Sequence, residues 1–250
     1  QGQLESWGYV VEREPVQVQA YRRDLTKPAA HQYSPPQPDD PWYTAYNLSA
    51  RKVGTEVPEE TIVVVSHKDS QSWIHSPGSN DNAIGTVGNL EVARVLAQYP
   101  CRRSLWFLFC NEEHTPWTSA TAAANAKERG ENLVAVFNLD GIGVKTPEDK
   151  QAQRNTLVVG YTEPQGERLA NLLCEVSHGL GLGLSCRTVK REYPNDDHGS
   201  FVKAGYPAAV IVIGSWPYGD PNYHLETDVP ELTDVHNAAL TVQAVVGAIL

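Results

Sequence analysis

Residues 104–113 have the sequence SLWFLFCNEE, in which a short apolar run ends at two adjacent glutamates. The run 104–110 is rich in aromatic side chains and too short for a typical helix, which indicates a buried strand. Glu112 and Glu113 therefore follow a strand that is surrounded by protein. Two carboxylates in such a place are unfavourable unless a positive group offsets their charge. A solvated loop is the plain alternative. A bound metal ion would account for both residues, one as a ligand and the other as a proton acceptor.

Apolar runs of strand length alternate with amphipathic segments along the rest of the chain. Residues 61–65 form a continuous β-branched run, which is typical of a strand buried on both faces. Further strands are predicted at 16–21, 42–53, 133–137, 156–159, 184–190 and 208–213, with a turn at 55–60 and a proline-rich loop at 27–41. Helices are predicted at 80–98, 118–129, 164–178, 197–204 and 234–250. This alternation favours an α/β sheet covered by helices on both faces.

Polar side chains follow several of these predicted strands directly. His67 comes after the run 61–65, and Asp140 comes after the run 133–137. Because ligands of open α/β sheets bind beyond the carboxyl ends of the strands, we expect both residues to lie near Glu112 and Glu113. Imidazole and carboxylate ligands without a thiolate suit a catalytic divalent metal, with zinc first and manganese or cobalt as alternatives. A carboxylate-rich site can hold two ions roughly 3.5–4 Å apart, which is an arrangement used for hydrolysis.

Composition limits the classes of protein to which the chain can belong. With 250 residues, 41% of them hydrophobic, it is long enough for one large domain or two small ones. A net charge of −10 argues against nucleic acid and anionic membranes as partners. No apolar run approaches the roughly 18 residues of a membrane span. Four cysteines occur without C-x-x-C spacing, so a zinc–thiolate site is not expected, although disulfides are possible.

Six short blocks together resemble one enzyme family. They occur in the family's order at residues 66–70, 78–83, 112–113, 138–140, 197–198 and 223–228. The chain resembles the zinc-dependent aminopeptidases with a co-catalytic metal pair, which share their fold with glutamate carboxypeptidases and glutaminyl cyclases. The resemblance implies a three-layer α/β/α fold with a central mixed, mostly parallel sheet of the zinc-exopeptidase kind. It also implies that residues 1–250 form a single metallopeptidase catalytic domain.

The resemblance assigns a role to each matching residue. Five would be metal ligands for two zinc ions per chain, with His67 and Asp140 on one ion, Glu113 and His224 on the other, and Asp81 bridging both. Glu112 would be the general base. Asp69 would orient His67 by fixing the tautomer of its imidazole.

Three further site residues are assigned more loosely. Tyr193 matches a tyrosine that stabilises the oxyanion in some members of the family, with a packing role in a loop as the alternative. Asp197 would contact the substrate or cap the following helix, and His198 would lie close to the site.

The implied activity is removal of single residues from peptides with a free N-terminus. One zinc would bind the amine and the other would polarise the carbonyl, while Glu112 deprotonates the attacking water. A glutaminyl cyclase using one zinc, held by Asp81, Glu113 and His224, is the alternative enzyme, although residues 81–83 favour the peptidase. A metal-free, receptor-like domain of the same fold is the alternative outside enzymes, and retention of every ligand counts against it.

Two departures from the family pattern concern the surroundings of the site. Lys68 stands where an aromatic residue is usual, and residues 114–117 are bulkier than the small residues that often follow the second glutamate. We therefore transfer no side-chain preference from the family, and the oligomeric state also stays open.

An extracytoplasmic or secreted location is expected because most of the family is exported. The Asn47-Leu48-Ser49 sequon and the absence of methionine, including at the start of the chain, agree with this expectation. The last predicted helix stops at the apolar Ile249 and Leu250, so we expect the natural chain to extend beyond the present ends.

Overall fold

The computed structural model describes residues 1–250, with a mixed nine-stranded sheet at its centre. The strands are β1 (Val11–Ala20), β2 (Arg22–Arg23), β3 (Tyr33–Ser34), β4 (Tyr43–Lys52), β5 (Val57–His67), β6 (Arg103–Cys110), β7 (His114–Thr115), β8 (Asn132–Leu139), β9 (Asn155–Tyr161), β10 (Leu184–Lys190) and β11 (Ala209–Ile213). The helices are α1 (Gly2–Ser6), α2 (Ile84–Ala97), α3 (Thr118–Glu128), α4 (Pro147–Gln151), α5 (Pro164–Gly179), α6 (Asp196–Lys203) and α7 (Val235–Ile249). Short 3₁₀ turns lie at Ala29–His31 and Pro230–Leu232.

The order of strands in the large sheet is β10-β9-β11-β8-β5-β6-β4-β1-β7. The four central strands, β11, β8, β5 and β6, run parallel to one another, and β10 runs parallel to β9. Antiparallel pairing occurs between β9 and β11 and along the β6-β4-β1-β7 side. β2 and β3 form a separate two-stranded sheet. The predicted three-layer α/β/α fold with a mixed central sheet is confirmed. The sheet is parallel mainly in its middle, with four parallel and four antiparallel pairings, rather than mostly parallel.

Helices cover both faces of the sheet, as the β-branched run 61–65 predicts. Ile62 and Val64 point into a core that also includes side chains of α2, α5 and α7. Val63 and Val65 point to the opposite face, towards α3 and α6. Successive side chains of a strand alternate between faces, so a strand between two helical layers must be apolar at every position.

The strand before the two glutamates follows the same rule. Leu105, Phe107 and Phe109 lie in the first core, and Trp106 and Leu108 lie in the second. Phe107 is completely buried, and removal of such a side chain costs about 3–5 kcal/mol of stability. The aromatic run in residues 104–110 therefore fixes β6 at the middle of the molecule.

The structure differs from the prediction at several element boundaries. β1 begins at Val11 rather than at residue 16, and the predicted loop 27–41 contains β3. Residues 57–60, predicted as part of a turn, are the beginning of β5, where an irregular register separates Val57 from Thr61. They include Pro58 and two glutamates and are only partly buried, because they extend beyond the core. The helix predicted at 80–98 begins as a π-helical turn at Ser79–Ala83 with Asp81 and Asn82 in non-helical conformations, and regular helix starts only at Ile84.

One disulfide joins Cys174 in α5 to Cys186 in β10, while Cys101 and Cys110 are buried free thiols. The bond ties a helix to the strand at one edge of the sheet. None of the helices has the length and apolar character needed to cross a membrane.

Candidate metal centre

His67 is the last residue of β5 and is almost completely buried. Its Nε2 atom lies 3.1 Å from Oδ1 of Asp81 and 3.6 Å from Oδ1 of Asp140. Burial alone would disfavour a charged imidazole, but the carboxylates of Asp140, Asp69 and Asp81 outweigh it and raise the pKa of His67 well above its usual value. The parallel arrangement of β5 and β8 explains why residues so far apart in sequence meet.

His224 approaches the same carboxylate from the loop after β11. Its Nε2 atom lies 3.0 Å from Oδ2 of Asp81 and 3.4 Å from Oε1 of Glu113. Burial opposes protonation, yet these two carboxylates raise the pKa of His224 to about 10. The backbone of His224 has a φ of +58°, a left-handed conformation that few non-glycine residues adopt.

Asp81 lies between the two imidazoles and presents one carboxylate oxygen to each. The Asp228 carboxylate holds the segment in place, since it accepts the backbone N–H of Asn80 at 2.8 Å and that of Asp81 at 3.0 Å. Burial would raise the pKa of Asp81, but hydrogen bonds from His224 and His67 lower it well below its usual range. Asp81 is therefore not a simple helix cap, because its carboxylate faces side chains rather than helix N–H groups.

Asn82 connects the Asp81 segment to the end of β8. Its amide donates to the carbonyl of Leu139 at 2.8 Å, and its Oδ1 accepts the backbone N–H of Gly85 and of Gly141. A Cβ atom at Gly85 would lie 2.1 Å from Asn82 Oδ1 and 2.2 Å from the Leu139 carbonyl oxygen. Only glycine fits at position 85. The hydrogen bonds of Asn82 thus connect the start of α2 to the backbone on either side of Asp140.

Asp69 fixes the turn that carries the two glutamates. Its Oδ1 accepts the backbone N–H of Glu112 at 3.0 Å, and its Oδ2 accepts that of Glu113 at 3.2 Å. The same carboxylate lies 3.5 Å from Nδ1 of His67 and 2.8 Å from Nδ1 of His114. Asp69 thus contacts His67 as expected, and it also anchors the Glu112–Glu113 turn, a contact that the sequence does not indicate.

The side chain of Lys68 supports this turn as well. Its Nζ donates a hydrogen bond to Oδ1 of Asn111, and the backbone N–H of Asn111 donates to Oγ1 of Thr118, the first residue of α3. Burial lowers the pKa of Lys68. The lysine that departs from the family pattern is therefore packed against the turn.

Both glutamates are almost completely buried. Burial raises the pKa of Glu112 well above its usual value, and the charge of Asp197 adds to the effect. Burial also raises the pKa of Glu113, against the opposing influence of His224. Glu112 Oε2 is a buried atom without a hydrogen-bond partner. Crowded carboxylates of this kind are stabilised by cations.

The ligand atoms are close enough to share divalent ions. Atoms of His67, Asp81 and Glu113 lie within 4.8 Å of one another, as do atoms of His67, Glu112 and Asp140. Together with His224, these residues offer only imidazole nitrogens and carboxylate oxygens. Such a donor set fits zinc in a catalytic site.

A cavity of about 200 Å³ opens onto this cluster. It is lined by His67, Asp81, Glu112, Glu113, Asp140, Arg191, Asn195, Asp196, Ile211, Ile213, Trp216, Tyr218 and Tyr223. The guanidinium of Arg191 lies 5.2 Å from the ring centroid of Trp216 and pairs with the Asp196 carboxylate. Arg191, Asn195 and Trp216 could not be predicted as wall residues from sequence because they lie in loops without periodicity. Among the wall residues outside the predicted ligands, only Tyr223 had a sequence indication of its location, because it directly precedes His224.

Five sequence-predicted residues are not among those that line the cavity. Asp69 and His224 contact residues that do line it, Glu112 and Asp81 respectively. The other three are Tyr193, Asp197 and His198. Tyr193 is 69% exposed, and its hydroxyl lies 3.1 Å from the Glu192 carboxylate rather than near the metal cluster. Asp197 and His198 are completely buried in the first turn of α6. Burial raises the pKa of Asp197 to about 7 and lowers that of His198 to about 4. Contact of these three residues with substrate therefore stays a prediction.

Comparisons with known proteins agree with this geometry. Residues 47–248 match the model of peptidase family M28. A probable aminopeptidase of Saccharomyces cerevisiae is 25% identical over 219 residues, which cover 82% of this chain and 56% of that protein. The chain thus spans about half the length of the curated relatives it matches.

Two solved structures illustrate the shared fold. A zinc aminopeptidase from Bacillus subtilis superposes with a TM-score of 0.65 and 21% identity, covering 82% of this chain and 49% of that one. A glutaminyl cyclase from Bacteroides thetaiotaomicron superposes with a TM-score of 0.73 and 17% identity, covering 99% of this chain and 86% of that one. At these identities the likeness shows the fold alone.

Proposed function

The chain belongs to peptidase family M28, and from this premise we propose that it is a zinc-dependent aminopeptidase that removes single residues from the N-termini of peptides. One observation supports the proposal most strongly. The two carboxylate oxygens of Asp81 face two different imidazoles, at 3.1 Å from His67 and 3.0 Å from His224. A carboxylate placed in this way can bridge two metal ions, and a metal pair suits hydrolysis.

The proposed centre holds two zinc ions per chain. His67 and Asp140 would hold one, Glu113 and His224 would hold the other, and Asp81 would be shared. This division follows the distances, since His67 approaches Asp140 and His224 approaches Glu113. When bound, the ions supply Lewis acidity towards a carbonyl and an acidified water.

Glu112 is the residue proposed to move the proton. It lines the cavity beside the ligands, and its Oε2 has no competing hydrogen bond. It would take the proton of the attacking water and deliver it to the departing amine. A buried carboxylate with a raised pKa is suited to such transfers near neutral pH.

The cavity itself favours a short substrate segment with a positive end. Its volume of about 200 Å³ is below the range of about 300–1,000 Å³ found for drug-sized ligands, which favours a short segment. Five of the lining residues are carboxylates, against the single guanidinium of Arg191. This charge balance suits metal cations together with a substrate ammonium group.

Hydrolysis of a panel of aminoacyl-p-nitroanilides tests the proposed reaction. We expect release of nitroaniline from substrates with a free amine and none from their N-acetylated forms. The same preparation should not cyclise a peptide with N-terminal glutamine. Cyclisation without hydrolysis would instead establish the one-zinc glutaminyl cyclase, whose fold this chain shares.

We also propose an extracytoplasmic location. The Cys174–Cys186 disulfide supports it, because such bonds persist in oxidising compartments. The sequon does not, since Asn47 is completely buried and donates to Glu14 and to the Thr118 carbonyl. Thiol counting on unreduced, denatured protein should find two free cysteines, whereas four would remove this support.

A further inference from the structure

A short hairpin near the start of the chain reaches the candidate metal centre. β2 and β3 pair through Arg22 with Ser34 and Arg23 with Tyr33, and the 3₁₀ turn Ala29–His31 lies between them. We call residues 22–34 the N-terminal clamp. The clamp lies outside residues 47–248, the part of the chain that matches the family model.

The clamp makes a direct hydrogen bond to one candidate ligand. Nδ1 of His224 lies 2.9 Å from the backbone carbonyl oxygen of Ala30. A carbonyl oxygen can only accept, so Nδ1 must carry the hydrogen. The lone pair of the neutral ring is then on Nε2, the atom that faces Asp81 and Glu113. The bond thus selects the tautomer that can ligate a metal at this position.

Aromatic side chains hold the same ring against rotation. Trp73 packs edge-on to His224 at 5.1 Å between ring centroids, and Tyr223 stacks on it at 3.7 Å. Tyr33 of the clamp packs on Trp73 at 4.8 Å and lies 6.3 Å from His224. His31 of the clamp lies 6.2 Å from Tyr223. The clamp therefore supports the imidazole both through the backbone and through its aromatic neighbours.

Internal hydrogen bonds give the clamp a defined shape. Nζ of Lys27 donates to the carbonyl of Tyr33 at 2.6 Å. The backbone N–H of Asp24 donates to the carbonyl of Gln32 at 3.0 Å. The N–H of His31 donates to the carbonyl of Pro28 at 2.8 Å. The Ala30 carbonyl is thus presented by a structured turn.

The two candidate metal positions differ in this respect. His67 is oriented by Asp69, two residues further along the chain, whereas His224 depends on a segment 194 residues away. We propose that the N-terminal clamp is a positioning element for one metal position only, the one formed by Asp81, Glu113 and His224. This inference rests on the proposed zinc pair.

Zinc affinity measured in single-site backgrounds tests the clamp. Asp140→Ala leaves the His224 position intact, and His224→Ala leaves the His67 position intact. Into each background we would introduce either Tyr33→Ala or a replacement of residues 28–31 by two glycines. Dissociation constants would come from chelator competition with zinc, without any turnover assay. Tyr43→Ala, an exposed tyrosine of β4, is the matched control, and Tyr33→Phe should restore the affinity.

We expect both clamp variants to weaken zinc binding about 10–100-fold in the Asp140→Ala background and to leave it unchanged in the His224→Ala background. Equal losses in both backgrounds, or none in either, would overturn the inference while leaving the proposed function standing. Absence of zinc binding by the unmodified chain would overturn both. Thermal unfolding of the metal-free proteins shows whether each variant folds. If the glycine replacement does not fold, the zinc affinity of Tyr33→Ala alone tests the inference.

Discussion

Exchange of Glu112 and of Glu113 for glutamine should give two different defects. Both residues follow β6 and both backbone N–H groups bind the Asp69 carboxylate, so neither substitution removes the support of the turn. Glutamine keeps the size of glutamate but cannot accept a proton. Glu112→Gln should therefore retain two zinc ions and lose roughly 10²–10⁴-fold in turnover, the usual contribution of a general base. This corresponds to about 3–5 kcal/mol of activation free energy.

Glu113→Gln should act on the metal instead. Glu113 Oε1 lies 3.4 Å from Nε2 of His224, within the proposed ligand set. Substitution of a neutral amide for a charged ligand should weaken one zinc by at least the roughly 10–100-fold typical of changes in residues that merely support a ligand. Activity should be partly restored by added zinc.

Zinc content of desalted protein and turnover of an aminoacyl-p-nitroanilide, measured on both variants, separate these outcomes. The opposite assignment, with Glu112 as a metal ligand, is also compatible with the structure, since Glu112 lies within 4.8 Å of ligand atoms of His67 and Asp140. If Glu112→Gln loses metal and Glu113→Gln keeps it, the two roles are reversed. If neither substitution changes metal or turnover, the cluster is not the active site.

Three further outcomes follow from the structure. Asp81→Ala should lose both zinc ions and all activity, because each position would keep only two of its ligands; full zinc content by elemental analysis would reduce Asp81 to a structural residue. His198 has a pKa of about 4 in the folded chain, lowered by burial from about 6.5, so the folded state binds fewer protons than the unfolded one as pH falls. Stability should accordingly drop by on the order of 3 kcal/mol between pH 6.5 and 4. Denaturant titrations of His198→Leu should show a smaller drop. An identical drop would contradict the lowered pKa of His198. Replacement of Cys174 and Cys186 by serine should cost about 3 kcal/mol, since the bond closes a loop with a sequence separation of 12, and an unchanged urea midpoint would show that the bond does not constrain the unfolded chain.

The central strands could be predicted from sequence because burial on both faces leaves a strong pattern. In residues 62–65 and 105–110, every position is apolar and buried, so short uninterrupted runs identify β5 and β6. The segments missed, such as α4 and the β2–β3 hairpin, are too short to develop a period. Residues 57–60 were assigned to a turn because Pro58 and two glutamates give no strand pattern where the strand extends past the core.

The metal cluster could be located from sequence for a related reason. His67 ends a strand of the parallel centre, and Glu112 and Asp140 follow two others. The carboxyl ends of parallel strands meet at one edge of the sheet. Arg191 and Trp216 reach the cavity from loops, where neither periodicity nor strand position indicates a shared location. The contact of Ala30 with His224 involves a backbone carbonyl, so the residue type at position 30 does not indicate it.

The number of zinc ions per chain tests the central claim most directly. It should be measured by elemental analysis on carefully desalted protein, with peptide hydrolysis and cyclisation of N-terminal glutamine assayed on the same preparation. Because Asp81 presents one carboxylate oxygen to each of two imidazoles, we predict two zinc ions per chain together with hydrolysis. A stable value of one zinc, accompanied by cyclisation and no hydrolysis, would contradict the proposed aminopeptidase.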